Sequence, residues 1–303
     1  IQGSSATVLS LGATDEIDLT ATAMDFNGTV TISGDTTLED GADLITASAG
    51  TDNVRIGATA GDSIQSGGNF NTLIGTNAGT AITTGDSNVA VGRNALDAEV
   101  AGSLSVAVGV GTLTSQTNST ATDVYNTAVG HAAGNQVTTG TQNTLIGGLN
   151  GDALTGGAVN VAVGYGALTS DTLGSKSVAL GHTTLANQNF TTATDSFNTA
   201  VGHSAGSAVT TARFNNLIGG LAGDALTTGN SNTAIGYNSL GSDTKGENSV
   251  AIGDQALATQ NLTTATDTYN VAVGASAGNQ VTTGTFNVLL GGTSGDALTD
   301  ADF

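Results

Sequence analysis

Proline, cysteine and tryptophan are absent from this 303-residue chain. Without cysteine the chain has no disulfide framework and no thiolate metal site. Without proline every backbone N–H can donate a hydrogen bond, which favours uninterrupted β-ladders. No run of about 18 apolar residues occurs, so the sequence predicts no membrane-spanning helix.

Positive charge is also scarce. Five residues are Lys or Arg, against 25 Asp or Glu, which gives a formal net charge of −20. Nucleic-acid binding depends on cations that neutralise phosphates, so this composition disfavours a nucleic-acid partner. Anionic membrane surfaces are disfavoured for the same reason. Strong like charge instead keeps long repeat proteins soluble and apart from each other.

Glycine is abundant, with 45 residues, and many of them end a short apolar phrase such as NTLIG or SVAVG. The phrase occurs 14 times, mostly at intervals of 17 residues, and a 21-residue interval once per block gives a 72-residue super-repeat. A period this short predicts a stacked solenoid. We expect an all-β, parallel β-solenoid of about 14 turns over residues 51–303. The phrase glycines are Gly57, Gly75, Gly92, Gly109, Gly130, Gly147, Gly164, Gly181, Gly202, Gly219, Gly236, Gly253, Gly274 and Gly291.

Both faces of the phrase are apolar. The residue before the glycine is Val, Ile or Leu, the residue two positions earlier is mostly Val or Thr, and the one between them is mostly Ala or Leu. Alternate residues of a strand point to opposite faces, and a strand that is apolar on both is buried on both. We interpret the Val/Ile face as the core of the coil and the Ala/Leu face as a contact with another chain. The alternative is a three-layer coil within one chain.

A polar residue, Asn or Ser, begins each phrase, as in Asn71, Asn88 and Ser105. Amides that stack along a β-structure hydrogen-bond to each other as ladders. We therefore expect a structural ladder here and no binding site.

Every fourth turn is longer by four residues and should bulge from the solenoid at intervals of about 19 Å. Each bulge places a carboxylate close to an aromatic residue, a combination that could contact carbohydrate. The alternative is that the aromatic ring folds back and is buried under the bulge. The candidate receptor-contact residues are Asp123, Tyr125, Asp195, Phe197, Asp267 and Tyr269.

Residues 1–50 do not follow the phrase. They contain alternating segments and an Asn27–Gly28 turn signal, and they are rich in Asp and Glu. We expect a separate acidic β segment that acts as a shaft or a cap. The chain starts with Ile1 and its last turn reaches Phe303 without an obvious cap, so we expect a fragment of a longer protein.

The phrases NSVAIG (Asn248–Gly253) and NTAVG (Asn126–Gly130) resemble the head repeats of trimeric autotransporter adhesins and related repeats of bacteriophage tail fibres. The opening segment Asp15–Asp35 looks like linker sequence of marine phage fibres. The resemblance implies a left-handed β-roll that forms an intertwined or side-by-side homotrimer. It also implies a virion or extracellular appendage that attaches to a host receptor or glycan. A bacterial adhesin head is the alternative. The turns of this chain are longer than those of the adhesin family.

Metal sites are weakly indicated. Three copies of His131 could meet at a trimer axis, but Ala275 replaces His131 and His203 in the third block, so we interpret the histidines, including His182, as surface or core residues. Asp152, Asp224 and Asp296 resemble a calcium-binding turn, but they recur only once per block. We interpret them as caps of their own turns. We predict no metal and no cofactor.

Catalysis is also disfavoured, because repetition gives equivalent residues similar environments, whereas paired catalytic carboxylates need different ones. Ile74–Gly79 (IGTNAG) fits one hexapeptide of the acyltransferase repeat, but each turn has only one such fit. That acyltransferase and a polysaccharide-cleaving tailspike are the enzymatic alternatives. We expect a non-enzymatic fibre without catalytic residues.

Overall fold

The computed structural model of the chain describes residues 48–300 and 302. None of these residues is helical, and they form a parallel β-solenoid of 14 turns. The prediction of an all-β solenoid is therefore confirmed. The acidic segment predicted at residues 1–50 lies outside the described residues, except for its last three positions.

Each turn contributes one three-residue strand to a 14-stranded parallel sheet. Every strand residue pairs with its equivalent in the next turn, as Ala90 does with Ala107 and Ala107 with Ala128. The strands are β1 (Val54–Ile56), β2 (Thr72–Ile74), β3 (Val89–Val91), β5 (Val106–Val108), β7 (Thr127–Val129), β8 (Thr144–Ile146), β9 (Val161–Val163), β11 (Val178–Leu180), β13 (Thr199–Val201), β14 (Asn216–Ile218), β15 (Thr233–Ile235), β17 (Val250–Ile252), β19 (Val271–Val273) and β20 (Val288–Leu290).

The longer turns add three lateral ladders, each a parallel pair of two-residue strands. In each pair the second strand lies in the longer turn and the first lies in the turn before it. The pairs are β4 (Gly102–Ser103) with β6 (Thr122–Asp123), β10 (Gly174–Ser175) with β12 (Thr194–Asp195), and β16 (Gly246–Glu247) with β18 (Thr266–Asp267). Each longer turn therefore contributes a short β-strand beside the main sheet.

The middle residue of each three-residue strand of the main sheet points into the solenoid. These residues are completely buried from Leu73 to Ala272, whereas the outer positions are partly exposed, with Ile146 at 39%. The prediction that the Val/Ile face fills the core and the Ala/Leu face meets another chain is therefore wrong. The three-layer alternative is wrong too, because the Val/Ile face is partly exposed and the described residues of the same chain do not cover it.

Volume explains this orientation. The fourth residue after each phrase glycine lies opposite the strand and reads Gly, Gly, Leu, Leu through a block. Gly134 and Leu113 share this position with similar left-handed backbones (φ 60° and 49°), so conformation does not decide between them. A Cβ on Gly134 would lie 2.8 Å from the side chains of Leu113 and Leu145. Glycine therefore occupies this position where the inward leucine of a block would contact a larger side chain. Leucine occupies it in turns whose inward strand residue is alanine, and there it fills the interior.

The predicted ladder of Asn and Ser residues at the first position of the phrase is confirmed, but its hydrogen bonds differ from the expected amide-to-amide bonds. Asn143 Oδ1 accepts a hydrogen bond from the backbone N–H of Asn160 (3.0 Å), and its Nδ2 donates to the carbonyl of Gly157 (2.9 Å). Most of these amides therefore tie the strand to the neighbouring backbone instead of to each other. Because the groups are buried, this ladder satisfies donors and acceptors that no solvent reaches.

Asn143→Ala should lower the free energy of unfolding by about 2–5 kcal/mol, because it leaves a buried N–H and a buried carbonyl without a partner. Denaturant titration followed by circular dichroism measures the loss. The exposed neighbour Gln142→Ala is the matched control and should change stability little. Equal stability of the two variants would contradict the ladder's role.

Candidate functional site

The lateral ladders hold the three predicted carboxylates in equivalent positions, but each has a different partner. Asp123 receives a long contact from Tyr125 Oη (3.5 Å). Asp195 accepts a hydrogen bond from the Lys176 ammonium at 2.6 Å. In the third copy Asn248 takes the place of Lys176, and its Nδ2 donates to the Asp267 carboxylate at 2.7 Å. The repeat thus keeps the acid and varies the donor.

The aromatic residues that follow these acids are exposed. Tyr125, Phe197 and Tyr269 have left-handed backbones (φ 55°, 52° and 50°) and expose 52%, 47% and 48% of their surface. The alternative that the ring is buried under the bulge is therefore wrong. The rings instead form rows along the solenoid, because the residue at the same place in the next turn is Phe214 after Phe197 and Phe286 after Tyr269.

The second copy is the most elaborate. Lys176 Nζ lies 5.1 Å from the centre of the Phe197 ring, and that ring stacks on Phe214 at 5.8 Å. The Arg213 guanidinium lies 4.7 Å from the Phe214 ring, and its Nε donates to the carbonyl of Asp195 (3.0 Å). Two of the chain's five cationic residues therefore meet at one lateral ladder.

A shallow depression of about 440 Å³ opens beside this ladder. Its lining combines one guanidinium, one carboxylate and two hydroxyl groups. The residues are Ser175, Ala193, Thr194, Asp195 and Arg213. Such a lining can accept and donate hydrogen bonds to a polar ligand.

The histidines lie in one row, two residues beyond the ends of their strands. His182 stacks on Tyr165 (5.6 Å) and on His203 (5.3 Å), and all three histidines are exposed, including His131. The described part of the chain contains no cluster of three or more His, Cys, Asp or Glu residues that could hold a metal ion.

The predicted turn-capping carboxylates lie far apart along the solenoid, since four turns correspond to about 19 Å. Asp152 Oδ1 accepts a hydrogen bond from Thr169 Oγ1 at 2.5 Å. Burial raises the pKa of Asp224, although its own backbone N–H and that of Ala225 oppose the shift. The Asp224 contacts agree with the predicted cap of a single turn, whereas the hydrogen bond from Thr169 joins Asp152 to the next turn.

Three buried carboxylates were not identified from the sequence. Asp171 Oδ1 accepts hydrogen bonds from the backbone N–H groups of Gly174 and Phe190 (both 3.0 Å), and Oδ2 accepts one from Gln188 Nε2 (2.6 Å). Gln188 belongs to the following, longer turn, so the pair fastens that turn and its lateral ladder to the solenoid. The equivalent pairs are Glu99 with Gln116 and Asp243 with Gln260.

A positional signal could have revealed these pairs. The seventh residue after the phrase glycine is apolar in two turns of each block, then an acid, then glutamine. A strict exchange of apolar for polar residues at one interior position indicates a buried hydrogen-bonded network.

Comparison with protein-family models, with curated proteins and with solved structures gives no match to this chain. Within the described residues there is no helix whose length and apolar character would let it cross a membrane. Function must therefore be argued from the surface and the geometry of the solenoid.

The pKa of Asp171 gives a test of the buried network. Removal from water raises this pKa above its ordinary 3.8, against the lowering effect of hydrogen bonds led by Gln188. Because its pKa is higher in the folded state, the carboxyl group ionises at a lower pH in the unfolded chain than in the folded chain. Its contribution to stability therefore falls as the pH rises from 3.8 through the folded-state value.

Asp171→Asn removes this titration. We expect the difference in melting temperature, variant minus unsubstituted protein, to increase when the pH is raised from about 3.5 to about 7. Differential scanning calorimetry at both pH values measures it. The exposed Asp254→Asn serves as the control for a change of net charge. A difference that stays constant with pH for Asp171→Asn would contradict the predicted shift.

Proposed function

We propose that this chain is the solenoid part of a non-enzymatic structural and adhesive fibre, a bacteriophage tail fibre. It assembles as a parallel homotrimer, is exposed on the virion, and attaches it to a receptor or glycan of the host. The observation that carries this proposal is the outer face of the main sheet. We define the outer face as the first and third residues of each main-sheet strand, with the residues two before and two after the strand.

The two central rows of the outer face are mostly apolar along the solenoid. Its central positions are Val, Ile, Leu, Thr or a single Asn, and large side chains such as Val288 (67%) and Leu290 (66%) are widely exposed. Exposed rings occupy parts of its two border rows, including Phe70 (59%) and Tyr237 (56%). A contiguous apolar surface of this kind indicates a contact with another molecule.

Charge favours a second copy of the chain as that molecule. The chain has a net charge of −20, so two copies repel each other over most of their surface. Four residues of the outer face are charged, and these two acids and two bases cancel: Asp52, Arg93, Lys176 and Asp254. Copies can therefore approach on this face without electrostatic repulsion.

The area is sufficient for stable association. Fourteen strands at the sheet spacing of about 4.8 Å span about 65 Å, and six residue steps across the face span about 20 Å. The resulting face of about 1,300 Å² exceeds the roughly 800 Å² that a stable interface buries on each partner. The number of three chains rests on the resemblance to adhesin heads and tail fibres. A parallel arrangement sets each strand against its own equivalents.

Sedimentation equilibrium tests the assembly. We expect a mass of about three times the 29.4 kDa of one chain. Val161→Glu with Val163→Glu places two charges at the centre of the outer face and should shift the mass to that of a monomer. Circular dichroism of this variant should retain its β-sheet signal, because both side chains point out of the core.

Gln136→Glu with Thr139→Glu adds the same two charges at exposed positions away from the outer face and is the matched control. It should remain trimeric. A monomeric unsubstituted chain, or equal masses for both double variants, would refute the assembly. New reducing ends after incubation with host capsule polysaccharide would refute the non-enzymatic assignment.

A further inference from the structure

We propose that the depression at the second lateral ladder binds an acidic saccharide, a sugar that carries a carboxylate together with free hydroxyl groups. This inference deepens the proposed attachment function and rests on it for its biological role. The binding itself is a property of the chain that can be measured independently of assembly.

Arg213 provides the group that would bind the carboxylate. Its Nε is fixed by the carbonyl of Asp195 (3.0 Å), and its plane rests by the Phe214 ring (4.7 Å). No hydrogen bond from the described residues engages its Nη atoms, and Arg213 lines the depression. A guanidinium held in this way offers a preorganised fork for a carboxylate.

The other polar groups of the depression favour a sugar over a simple anion. Asp195 uses Oδ2 for Lys176, and within the described residues its Oδ1 has no partner, so this oxygen can accept a hydrogen bond from a hydroxyl. Ser175 Oγ accepts from the Ala158 N–H (3.0 Å), which leaves its own proton to donate. A carboxylate beside the binding position repels a bare anion, but it pairs well with the hydroxyl groups of an acidic saccharide.

The depression lies beside the outer face and not on it. Its lining residues precede the row formed by Lys176, Phe197 and Phe214, which is the border row of the outer face. Association through the outer face therefore leaves the lining of the depression outside the contact. A trimer would present three such depressions, which would add avidity toward a polymeric glycan.

The repeat itself supplies a comparison. The first block has identical lining residues, except that Thr141 stands in the place of Arg213. The third block has Thr285 in that place and Glu247 instead of Ser175, which adds a second carboxylate. Only the second copy combines a guanidinium with the carboxylate and the hydroxyl groups. The lining residues of the first copy are Ser103, Ala121, Thr122, Asp123 and Thr141.

The test uses tri-galacturonic acid as the probe and its methyl ester as the matched neutral sugar. Ligand-observed NMR titration of the full chain should give saturable binding of the acid and binding of the ester weaker by about tenfold or more. Arg213→Gln should weaken binding of the acid by a similar factor. Lys245→Gln removes another positive charge, at a position outside the outer face and the depression, and should change the affinity less than about twofold.

A gain of binding completes the test. Leu104→Lys, Thr141→Arg and Gln142→Phe copy the second-block residues into the first block, and the triple variant should bind about twice as much probe at low saturation. Equal binding of acid and ester, unchanged binding by Arg213→Gln, or no gain in the triple variant would overturn the proposal.

Sedimentation of the same samples separates this inference from the proposed fibre. A monomer that binds the acid with these specificities would refute the homotrimer and leave the saccharide site intact. A trimer that binds the acid and the ester equally would refute the saccharide site and leave the homotrimer intact. Arg213→Gln should keep the mass of the unsubstituted protein, because Arg213 does not belong to the outer face.

Discussion

The hydrogen-bond register between successive turns governs the rest of this structure. Each residue lies directly above its equivalent in the next turn, as Val161 lies beside Val178, so every position becomes a row of side chains at sheet spacing. Rows of asparagine, alanine or stacked rings satisfy this constraint. A row of buried like charges does not, which explains why the buried Asp171 is followed by Gln188, an amide that can donate to it.

The number of strands, their parallel order and the longer turns could all be predicted from spacing, because register forces a fixed period. The inside of the coil could not be assigned from the phrase alone, since Ala90 and Val91 are both apolar. The missing signal was compensation in side-chain volume. The fourth and seventh residues after the phrase glycine change together with the inward leucine, as Gly134 does beside Leu145. Only residues that share one interior have to compensate in this way.

The candidate site was predictable in part for a related reason. Spacing located Asp195 and Phe197 in a longer turn, and the structure places Lys176 and Arg213 beside them. Arg213 belongs to the next turn and Lys176 to the previous one, so only the stacking of turns brings the cations to the acid. Ring exposure could not be predicted either, because it depends on the left-handed corner before each strand.

Repetition and specificity place opposite demands on such a chain. Interior rows tolerate little change, because each side chain fills space left by its neighbours in two adjoining turns, as Leu113 does beside Gly134. Exposed rows have no such limit, and there a single replacement such as Arg for Thr alters the chemistry of one depression without disturbing the register. The solenoid therefore provides nearly identical frames once per block, and departures from the repeat on exposed rows are where a distinct binding preference can arise.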